Sequence, residues 1–318
     1  MIPMEKLLAA RTVYSHANCP DGIASAVLLN AALPWANIQF IQHGRDRIAP
    51  GPHQLWVDCC PPKERAKEFD AYECIVLDHH RTAEATIRSF RYHDFGDETA
   101  DPGVSGAVLA YRVFARCGPD LPLYEANRGI ARRFATLAGI RDTWQRDHPD
   151  WEVACAQAEA MLFYPLDQWI DRKNPWRFFD SNYAGLLEER RAIGKIARQQ
   201  NLNTAKRLAE EARKVERTIR GKSVRVAVVP TRHITDAADI LQAEVDLVVG
   251  FSYVWTEQAQ LRLSFRGSGM LNFGDLAARL SPGGGGHTNA AGCTVPARPN
   301  QNPYTHIDDL LEVYGSES

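Results

Sequence analysis

Short apolar runs alternate with longer amphipathic segments over the first hundred residues. Four runs with strong strand character cover Thr12–Ser15, Ile38–Gln42, Leu55–Asp58 and Ile75–Asp78. Between them lie two segments with helical character, Gly22–Ala32 and Pro62–Phe69. Strand and helix signals that alternate in this way are typical of a parallel, doubly wound sheet. We therefore predict an α/β domain at the start of the chain.

The rest of the chain continues with helices and then returns to strands. Residues 104–153 have a mainly helical pattern, and residues 186–220 extend it, with apolar side chains at three- and four-residue spacing at Leu208, Ala212, Val215 and Ile219. This second segment is rich in Lys and Arg, which fits either a solvated face or a surface that steers substrate. Strand signals resume in "VRVAVVP", "DLVVGFSYVW" and "QLRLSFRG". We predict a first domain over 1–190, a helical connector over 191–222 and a smaller α/β domain over 223–318.

Composition limits the classes of function. A chain of 318 residues with 45% hydrophobic residues can bury the cores of two domains. A formal net charge of -2 leaves no broad basic surface for long duplex DNA, although a small anionic ligand remains compatible. No window approaches the roughly 20 apolar residues that span a bilayer. Seven scattered cysteines without a CxxC pair favour free thiols in the cytoplasm and not a redox or zinc-ribbon motif.

Polar side chains follow three of the predicted strands, in "VYSH", "LWVD" and "IVLDHH". Ligands of doubly wound sheets bind beyond the carboxyl ends of the strands. The strand ends supply His16, Asp21, Asp58 and the run Asp78–His80, an oxygen and imidazole set that suits Mn²⁺, Mg²⁺ or Zn²⁺. Taken alone, the Asp-His-His run fits a surface turn equally well. Asp142 fits either a helix N-cap or a ligand for a second ion.

A glycine-rich loop, "SPGGGGHTNAAGC", follows the last predicted strand. Its glycines allow backbone N–H groups to approach an anion, and the small residues after it suit a helix start packed on a sheet. The loop lacks the GK[ST] of a Walker motif and the GxGxxG of a dinucleotide site. A flexible linker is the other interpretation.

These segments together resemble the DHH phosphoesterase superfamily joined to its DHH-associated C-terminal domain. The resemblance rests on "SHANCPDGIASA", "WVDCC", "VLDHH", "SGAVLAYR", "GIRDTW" and "LSFRGSGMLNFGDLAARLSPGGGGHTNAAG", in this order over nearly the whole chain. The superfamily includes RecJ-type exonucleases, nanoRNases that also act on 3'-phosphoadenosine 5'-phosphate, and linear dinucleotide phosphodiesterases. It implies an active site in the cleft between the two domains.

The resemblance also implies roles for individual residues. Two divalent ions, usually Mn²⁺, with Zn²⁺, Mg²⁺ or Co²⁺ as alternatives, would be held by His16, Asp21, Asp58, His79 and Asp142, with Asp58 as the bridge. Asp78 would support these ligands, and His80 would face the scissile phosphate. The substrate would contact Ser105, Arg266, Gly284, Gly285, Gly286, His287 and Asn289. Cys19 stands where members of the superfamily carry an aspartate, so it offers one ion either a softer thiol ligand or none.

The implied reaction is metal-dependent hydrolysis of a phosphodiester. Our first hypothesis is an enzyme that cleaves short oligonucleotides or linear dinucleotides to nucleoside monophosphates. The alternatives are a phosphatase on 3'-phosphoadenosine 5'-phosphate, a RecJ-like exonuclease on single strands, and a nucleotide-binding sensor that has lost most of its catalysis. We expect no partner in long duplex DNA or in a membrane, and both a monomer and a homodimer fit the sequence.

Overall fold

The computed structural model describes residues 2–42, 46–117, 124–180, 184–231, 234–255, 258–286 and 288–316. The chain forms two compact units, Met1–Arg198 and Gln199–Ser318. Each unit contains its own sheet, and the helix that spans Ala184–Glu210 includes the boundary. None of the helices in the described part of the chain combines the length and the apolar character needed to cross a membrane.

The first unit is built on a five-stranded parallel sheet. Its strands are β1 (Thr12–His16), β2 (Asn37–Ile41), β3 (Gln54–Val57), β4 (Ile75–Asp78) and β5 (Tyr92–Phe95), in the order β2-β1-β3-β4-β5. All four neighbouring pairs are parallel. The predicted parallel α/β fold is confirmed. The four predicted strands match within one residue at each end, and β5 was not predicted.

Helices surround this sheet. They are α1 (Met4–Ala9), α2 (Pro20–Ala32), α3 (Ala66–Ala71), α4 (Glu84–Ile87), α5 (Gly106–Cys117), α6 (Tyr124–Asp142), α7 (Trp151–Phe163) and α8 (Ala184–Glu210). Residues alternate along a strand between the two faces of a sheet. Accordingly, Val13 and Leu55 join the core that contains α2, α5 and α6, whereas Tyr14 and Trp56 join a second core with Phe69 of α3. The sheet is therefore covered on both faces, as the predicted doubly wound arrangement requires.

The second unit contains a mixed six-stranded sheet in the order β10-β11-β9-β8-β7-β6. The strands are β6 (Arg213–Ile219), β7 (Lys222–Val229), β8 (Leu247–Trp255), β9 (Ala259–Gly267), β10 (Gly285–Gly286) and β11 (Ala290–Pro296). Its helices are α9 (Ile234–Leu241), α10 (Phe273–Leu280) and α11 (Pro303–Ser316). Only β7 and β8 form a parallel pair among these described strands. The α/β character predicted for this unit is confirmed.

Part of the predicted helical connector is a strand. The segment over residues 191–222 is helical only to Glu210, and Arg213–Ile219 pairs antiparallel with β7. A four-residue spacing such as Val215 to Ile219 places both side chains on one face of a helix and also on one face of a strand. Pairing with β7 decides between the two, so the helical interpretation of these residues was wrong.

The segment after the glycine loop also differs from the prediction. Ala290–Gly292 was expected to suit a helix start, but it forms the beginning of β11 and pairs with Ser264–Arg266 of β9. Alanine favours a helix and glycine weakens both helices and strands, so pairing with β9 overrides the local preference. In a strand, these small residues let neighbouring backbones approach. The helix start prediction was therefore wrong.

Candidate metal centre

Three adjacent strands end in polar residues at one edge of the parallel sheet. His16 ends β1, Asp58 directly follows β3, and Asp78 ends β4 and is followed by His79. The neighbouring pairs β1–β3 and β3–β4 are parallel, so these ends lie side by side. Asp58 takes a left-handed backbone conformation, with φ of +56°, which turns the chain out of the sheet at this point. The predicted convergence of strand ends is present.

Asp58 lies at the centre of this edge. Its side chain is 1% exposed. One carboxylate oxygen, Oδ2, lies 3.6 Å from Nδ1 of His16, and the other, Oδ1, lies 3.4 Å from Nε2 of His79. Within the described residues, neither oxygen accepts a hydrogen bond. The two oxygens of one buried carboxylate therefore face two different histidines.

Within the described residues, three sets of donor atoms lie at this edge of the sheet. His16, Cys19 and Asp58 form the first set, Asp21, His79 and Asp142 form the second, and Asp58, Asp78, His79 and His80 form the third. Within each set the donor atoms lie no more than 4.8 Å apart. Nε2 of His79 lies 3.3 Å from Oδ2 of Asp142 and 3.9 Å from Oδ2 of Asp21. The structure thus brings together all six residues that were predicted as metal ligands.

The turn between β1 and α2 places two of these donors. Cys19 is the N-cap of α2, Pro20 occupies the first helical position, and Asp21 lies in the first turn. Asn18 supplies the left-handed conformation that the turn needs, with φ of +57°. A negative charge in the first turn of a helix is stabilised by the helix dipole. The local sequence therefore favours a carboxylate at this position.

Two hydrogen bonds from the α5 N-terminus fix the buried carboxylate of Asp21. Its Oδ1 accepts hydrogen bonds from Oγ of Ser105 at 2.6 Å and from the backbone N–H of Ala107 at 3.1 Å. A Cβ added at Gly106 would lie 2.6 Å from Cβ of Asp58 and 2.7 Å from Oδ2 of Asp21, so only glycine fits here. Ser105 is completely buried, and this position supports a role in orienting Asp21 and gives no support to the substrate contact predicted for it.

Sequence reasoning missed Glu98. Its Oε1 lies 3.1 Å from Nδ1 of His79, on the opposite side of the ring from Nε2. A hydrogen bond at one imidazole nitrogen selects the tautomer that leaves the other nitrogen available as a metal ligand. Glu98 follows β5, whose half-buried "YHDF" carries no apolar run. Glu98 could have been predicted only if β5 had been recognised as a strand.

Asp78 organises the Asp-His-His turn. Its Oδ1 accepts hydrogen bonds from the backbone N–H groups of His79 and His80, at 2.8 and 3.3 Å, and lies 2.6 Å from Nδ1 of His80. Burial favours the neutral form of His80, but the Asp78 carboxylate raises the pKa of that imidazole to about 9. The contacts of Asp78 therefore fit the supporting role predicted for it, and its carboxylate favours the imidazolium form of His80.

Crowding of charge shifts the pKa values of the buried donors. Burial raises the pKa of Asp21 well above its ordinary value, and the neighbouring Asp58 and Asp142 raise it further. Burial acts in the same direction on Asp58, but His16 and His79 beside it outweigh burial and hold its pKa well below the ordinary range. Burial and the surrounding carboxylates also raise the pKa of the Cys19 thiol. The neighbouring side chains therefore do not fully compensate the negative charge of the carboxylates of Asp21, Asp58 and Asp142.

These donors fit a pair of divalent cations. Carboxylate oxygens and imidazole nitrogens are the ligands used for Mn²⁺, Mg²⁺ and Zn²⁺. Nδ1 of His16, Oδ2 of Asp21 and both oxygens of Asp58 are buried without a hydrogen bond from any described residue. A cation would satisfy such atoms and offset the repulsion between the carboxylates. His16, Asp58 and Cys19 would hold one ion, and Asp21, His79 and Asp142 with Asp58 would hold the other.

Comparisons with known proteins were informative at the level of structure. Protein-family models and curated protein sequences gave no match. The structure is similar to the DHH domain of a member of a family of ribosomal proteins, with a TM-score of 0.58 and 12% identity over 98% of this chain and 87% of that chain. The fold is that of the DHH-domain proteins.

Two RecJ structures have the same fold. RecJ from Thermus thermophilus in complex with Mn²⁺ matches with a TM-score of 0.53 and 16% identity, over 99% of this chain and 54% of that chain. An exonuclease RecJ bound to manganese matches with a TM-score of 0.50 and 16% identity, over 99% and 93% of the two chains. The resemblance of the sequence motifs to the DHH superfamily is thereby confirmed for the fold.

The second unit of this DHH fold brings its predicted binding residues to one end of its sheet. Arg266 in β9 pairs in register with Ala290 of β11, and Gly285 and Gly286 form the neighbouring strand β10. The side chain of Asn289 lies against Gly269, where an added Cβ would come 2.5 Å from its Oδ1. His287 lies outside the described residues. The substrate contacts of this group stay a prediction.

Proposed function

We propose that this protein is a divalent-metal-dependent phosphodiesterase that hydrolyses short oligonucleotides or linear dinucleotides to nucleoside monophosphates. The observation that carries the proposal is the position of Asp58, a buried carboxylate whose two oxygens face two separate sets of donors. That arrangement suits a ligand that bridges two cations. Two-cation centres are widespread in enzymes that cleave phosphate esters, and manganese-bound RecJ has the same fold.

The residues around the centre would each have a defined task. A pair of divalent cations supplies an activated water and neutralises charge that develops on the phosphoryl oxygens. Ser105 and the N–H of Ala107 hold Oδ1 of Asp21, so that Oδ2 stays directed at the centre. Glu98 holds Nδ1 of His79 in the same manner. These contacts fix the ligands before substrate binds, which lowers the cost of organising the site.

His80 is the candidate donor to the substrate. Its partly exposed side chain is oriented by Asp78, and the same carboxylate favours the imidazolium form. A cationic imidazole can donate a hydrogen bond to a phosphoryl oxygen and protonate the oxygen of the leaving nucleoside. We assign His80 this catalytic role, with Asp78 as its positioning residue.

We assign substrate binding to the second unit. The guanidinium of Arg266 and the amide of Asn289 offer donors of the kind that bind a phosphate or a base edge. Gly284, Gly285, Gly286 and His287 are assigned to the same group on the basis of the sequence. A formal net charge of -2 provides no extended basic surface for a long strand. The proposal is therefore limited to short substrates.

Free thiols support a reducing compartment. None of the seven cysteines, which all lie within the described residues, forms a disulfide. Proteins of oxidising compartments commonly use disulfides for stability, whereas cytoplasmic proteins keep their thiols reduced. We propose that the protein acts in the cytoplasm.

A substrate panel tests the proposed reaction. The purified chain is incubated with Mn²⁺ and with dinucleotides, RNA and DNA strands of increasing length, and 3'-phosphoadenosine 5'-phosphate, and the products are separated by chromatography. We expect nucleoside monophosphates and a rate that falls as the strand becomes longer. Any activity that persists in the Asp58→Asn variant is attributed to contaminating enzymes. Asp150→Asn, which alters an exposed ion pair with Arg133 outside the centre, is the matched control and is expected to keep the activity.

Each alternative predicts a different pattern in the same panel. Equal rates on dinucleotides and long strands indicate a RecJ-like exonuclease and contradict the restriction to short substrates. Release of inorganic phosphate from 3'-phosphoadenosine 5'-phosphate, without cleavage of any diester, indicates a phosphatase. Tight binding of nucleotides without turnover under Mn²⁺, Mg²⁺, Co²⁺ or Zn²⁺ indicates a sensor.

A further inference from the structure

Cys19 brings a sulfur atom to the edge of the candidate metal centre. Its Sγ lies within 4.8 Å of a ring nitrogen of His16 and of a carboxylate oxygen of Asp58. As the N-cap of α2, Cys19 is held between the left-handed Asn18 and the fixed ring of Pro20. Its backbone therefore has little freedom to carry the thiol away from this set.

A second observation indicates that a ligand belongs among these three residues. Asp58 is 1% exposed, and within the described residues both of its oxygens lack a hydrogen bond. Nδ1 of His16 is also buried and also lacks a hydrogen bond from the described residues. Buried polar atoms without hydrogen bonds are costly. Oδ2 of Asp58 lies 3.6 Å from Nδ1 of His16, in the set that contains the thiol, whereas Oδ1 faces His79.

The first two donor sets differ in chemical character. His16, Cys19 and Asp58 offer nitrogen, sulfur and oxygen, whereas Asp21, His79 and Asp142 offer one nitrogen and two carboxylate oxygens. Thiolates favour soft and borderline cations such as Zn²⁺, while carboxylate-rich sets suit Mg²⁺ and Mn²⁺. Asp58, between the sets, contributes one oxygen to each. The donor atoms on one side of the Asp58 carboxylate are therefore softer than those on the other side.

We infer that Cys19 is a thiolate ligand of one of the two cations and makes that site selective for a borderline metal such as Zn²⁺ or Co²⁺. The inference rests on the proposed function, because it assigns one residue to the metal pair that the function requires. Its consequence is a centre that binds two different metals, with Zn²⁺ or Co²⁺ beside Cys19 and Mn²⁺ or Mg²⁺ beside Asp142.

Cobalt reports directly on the sulfur ligand. The full-length chain is stripped of metal and titrated with Co²⁺ while its absorption is recorded. We expect a sulfur-to-cobalt charge-transfer band in the near ultraviolet that saturates with one equivalent of Co²⁺, and its loss in Cys19→Ser and Cys19→Asp. Cys60→Ser, which removes a buried thiol shortly after Asp58, is the matched control and is expected to keep the band.

Competition between metals gives a second measurement. Cys19→Asp keeps the number of donors but replaces sulfur with oxygen, so its affinity for Zn²⁺ relative to Mn²⁺ should fall by at least about tenfold, the scale on which even changes around the ligands alter metal affinity. Thermal melting of each variant shows that it remains folded.

The outcomes separate the inference from the proposed function. A wild-type protein that binds two equivalents of Co²⁺ without the charge-transfer band, or a band that persists in Cys19→Ser, overturns the thiolate ligand and leaves the metal-dependent hydrolysis intact. A band that depends on Cys19 in a protein that hydrolyses nothing in the substrate panel supports the ligand and overturns the function.

Discussion

The two units organise their candidate binding residues by opposite means. In the first unit, side chains from separate strands and helices contact each other at a buried edge, as when Ser105 donates to Asp21. In the second unit, the glycine loop is held by backbone contacts, such as the N–H of Phe273 with the carbonyl of Thr288 at 3.1 Å and the N–H of Gly284 with the carbonyl of Ser281 at 2.8 Å. The first arrangement depends on contacts between side chains, and the second depends on glycines, whose lack of a side chain lets backbone groups come close.

The largest effect is expected when the central side chain of the first unit is altered. Asp58→Asn keeps the shape of the residue but removes the charge and one strong metal ligand. Because a two-cation centre contributes several kcal/mol to stabilising the transition state, kcat should fall about 10³-fold, equivalent to ~4 kcal/mol. Steady-state kinetics with Mn²⁺ measure the change, and circular dichroism monitors the fold. Retention of kcat within about tenfold of the wild-type value would contradict the central position of Asp58.

A smaller effect should follow from the loss of a contact that orients a ligand. Ser105→Ala removes the hydrogen bond to the Asp21 carboxylate, and metal affinity should fall by about 10- to 100-fold. Ser25→Ala is the matched control, because Ser25 is equally buried and its hydroxyl donates instead to the backbone carbonyl of Asp21. It should lower the free energy of unfolding by about 1 kcal/mol and leave metal affinity unchanged. Isothermal titration with Mn²⁺ compares the metal affinities of the two variants. Equal affinities would contradict a positioning role for Ser105.

In the second unit, the damaging change is the addition of one methyl group. A Cβ at Gly284 would lie 2.0 Å from the carbonyl oxygen of Ala277, whereas a Cβ at Gly283 would meet no atom within 4 Å. Gly284→Ala should therefore lower the free energy of unfolding by about 1 to 3 kcal/mol, while Gly283→Ala should leave it unchanged or slightly raised. Urea titration measures both variants. Similar stabilities for the pair would show that the loop is not constrained by close backbone packing.

The mildest prediction concerns the grip on substrate. Arg266→Ala should raise KM by about tenfold with kcat unchanged, because a contact made equally in the bound substrate and the transition state affects binding alone. Arg262→Ala is the control, since Arg262 is an exposed residue on the same strand, four positions away and on the same face of the sheet. A fall in kcat for Arg266→Ala would instead place this arginine in the chemical step.

The sequence was most informative where apolar strands ended in polar residues. The run "QLWV" followed by Asp58 predicted both a buried strand and a carboxylate at its end, because neighbouring strand and helix signals indicated a parallel sheet, whose strand ends lie side by side. Glu98 escaped notice because β5 is half-buried and lacks an apolar run. The role of Ser105 depends on a hydrogen bond to a residue 84 positions away, and no local pattern encodes such a contact.

Pairing between distant segments explains the errors in the second unit. Val215 and Ile219 have a spacing that fits a helix and a strand alike. The local preference of Ala290–Gly292 is against a strand, since alanine favours helices and glycine weakens strands. In both segments the neighbouring strands, β7 and β9, decided the conformation. Such decisions are made by tertiary contacts, which a single sequence does not display.

The left-handed backbone of Asp58 has an evolutionary consequence. At a φ of +56°, few residue types other than glycine are tolerated, and Asp and Asn are the best among them. A replacement of Asp by Asn therefore preserves the turn after β3 while it removes the charge on which the proposed hydrolysis depends. A lineage with this fold can lose the proposed catalysis through one conservative substitution and keep an intact scaffold.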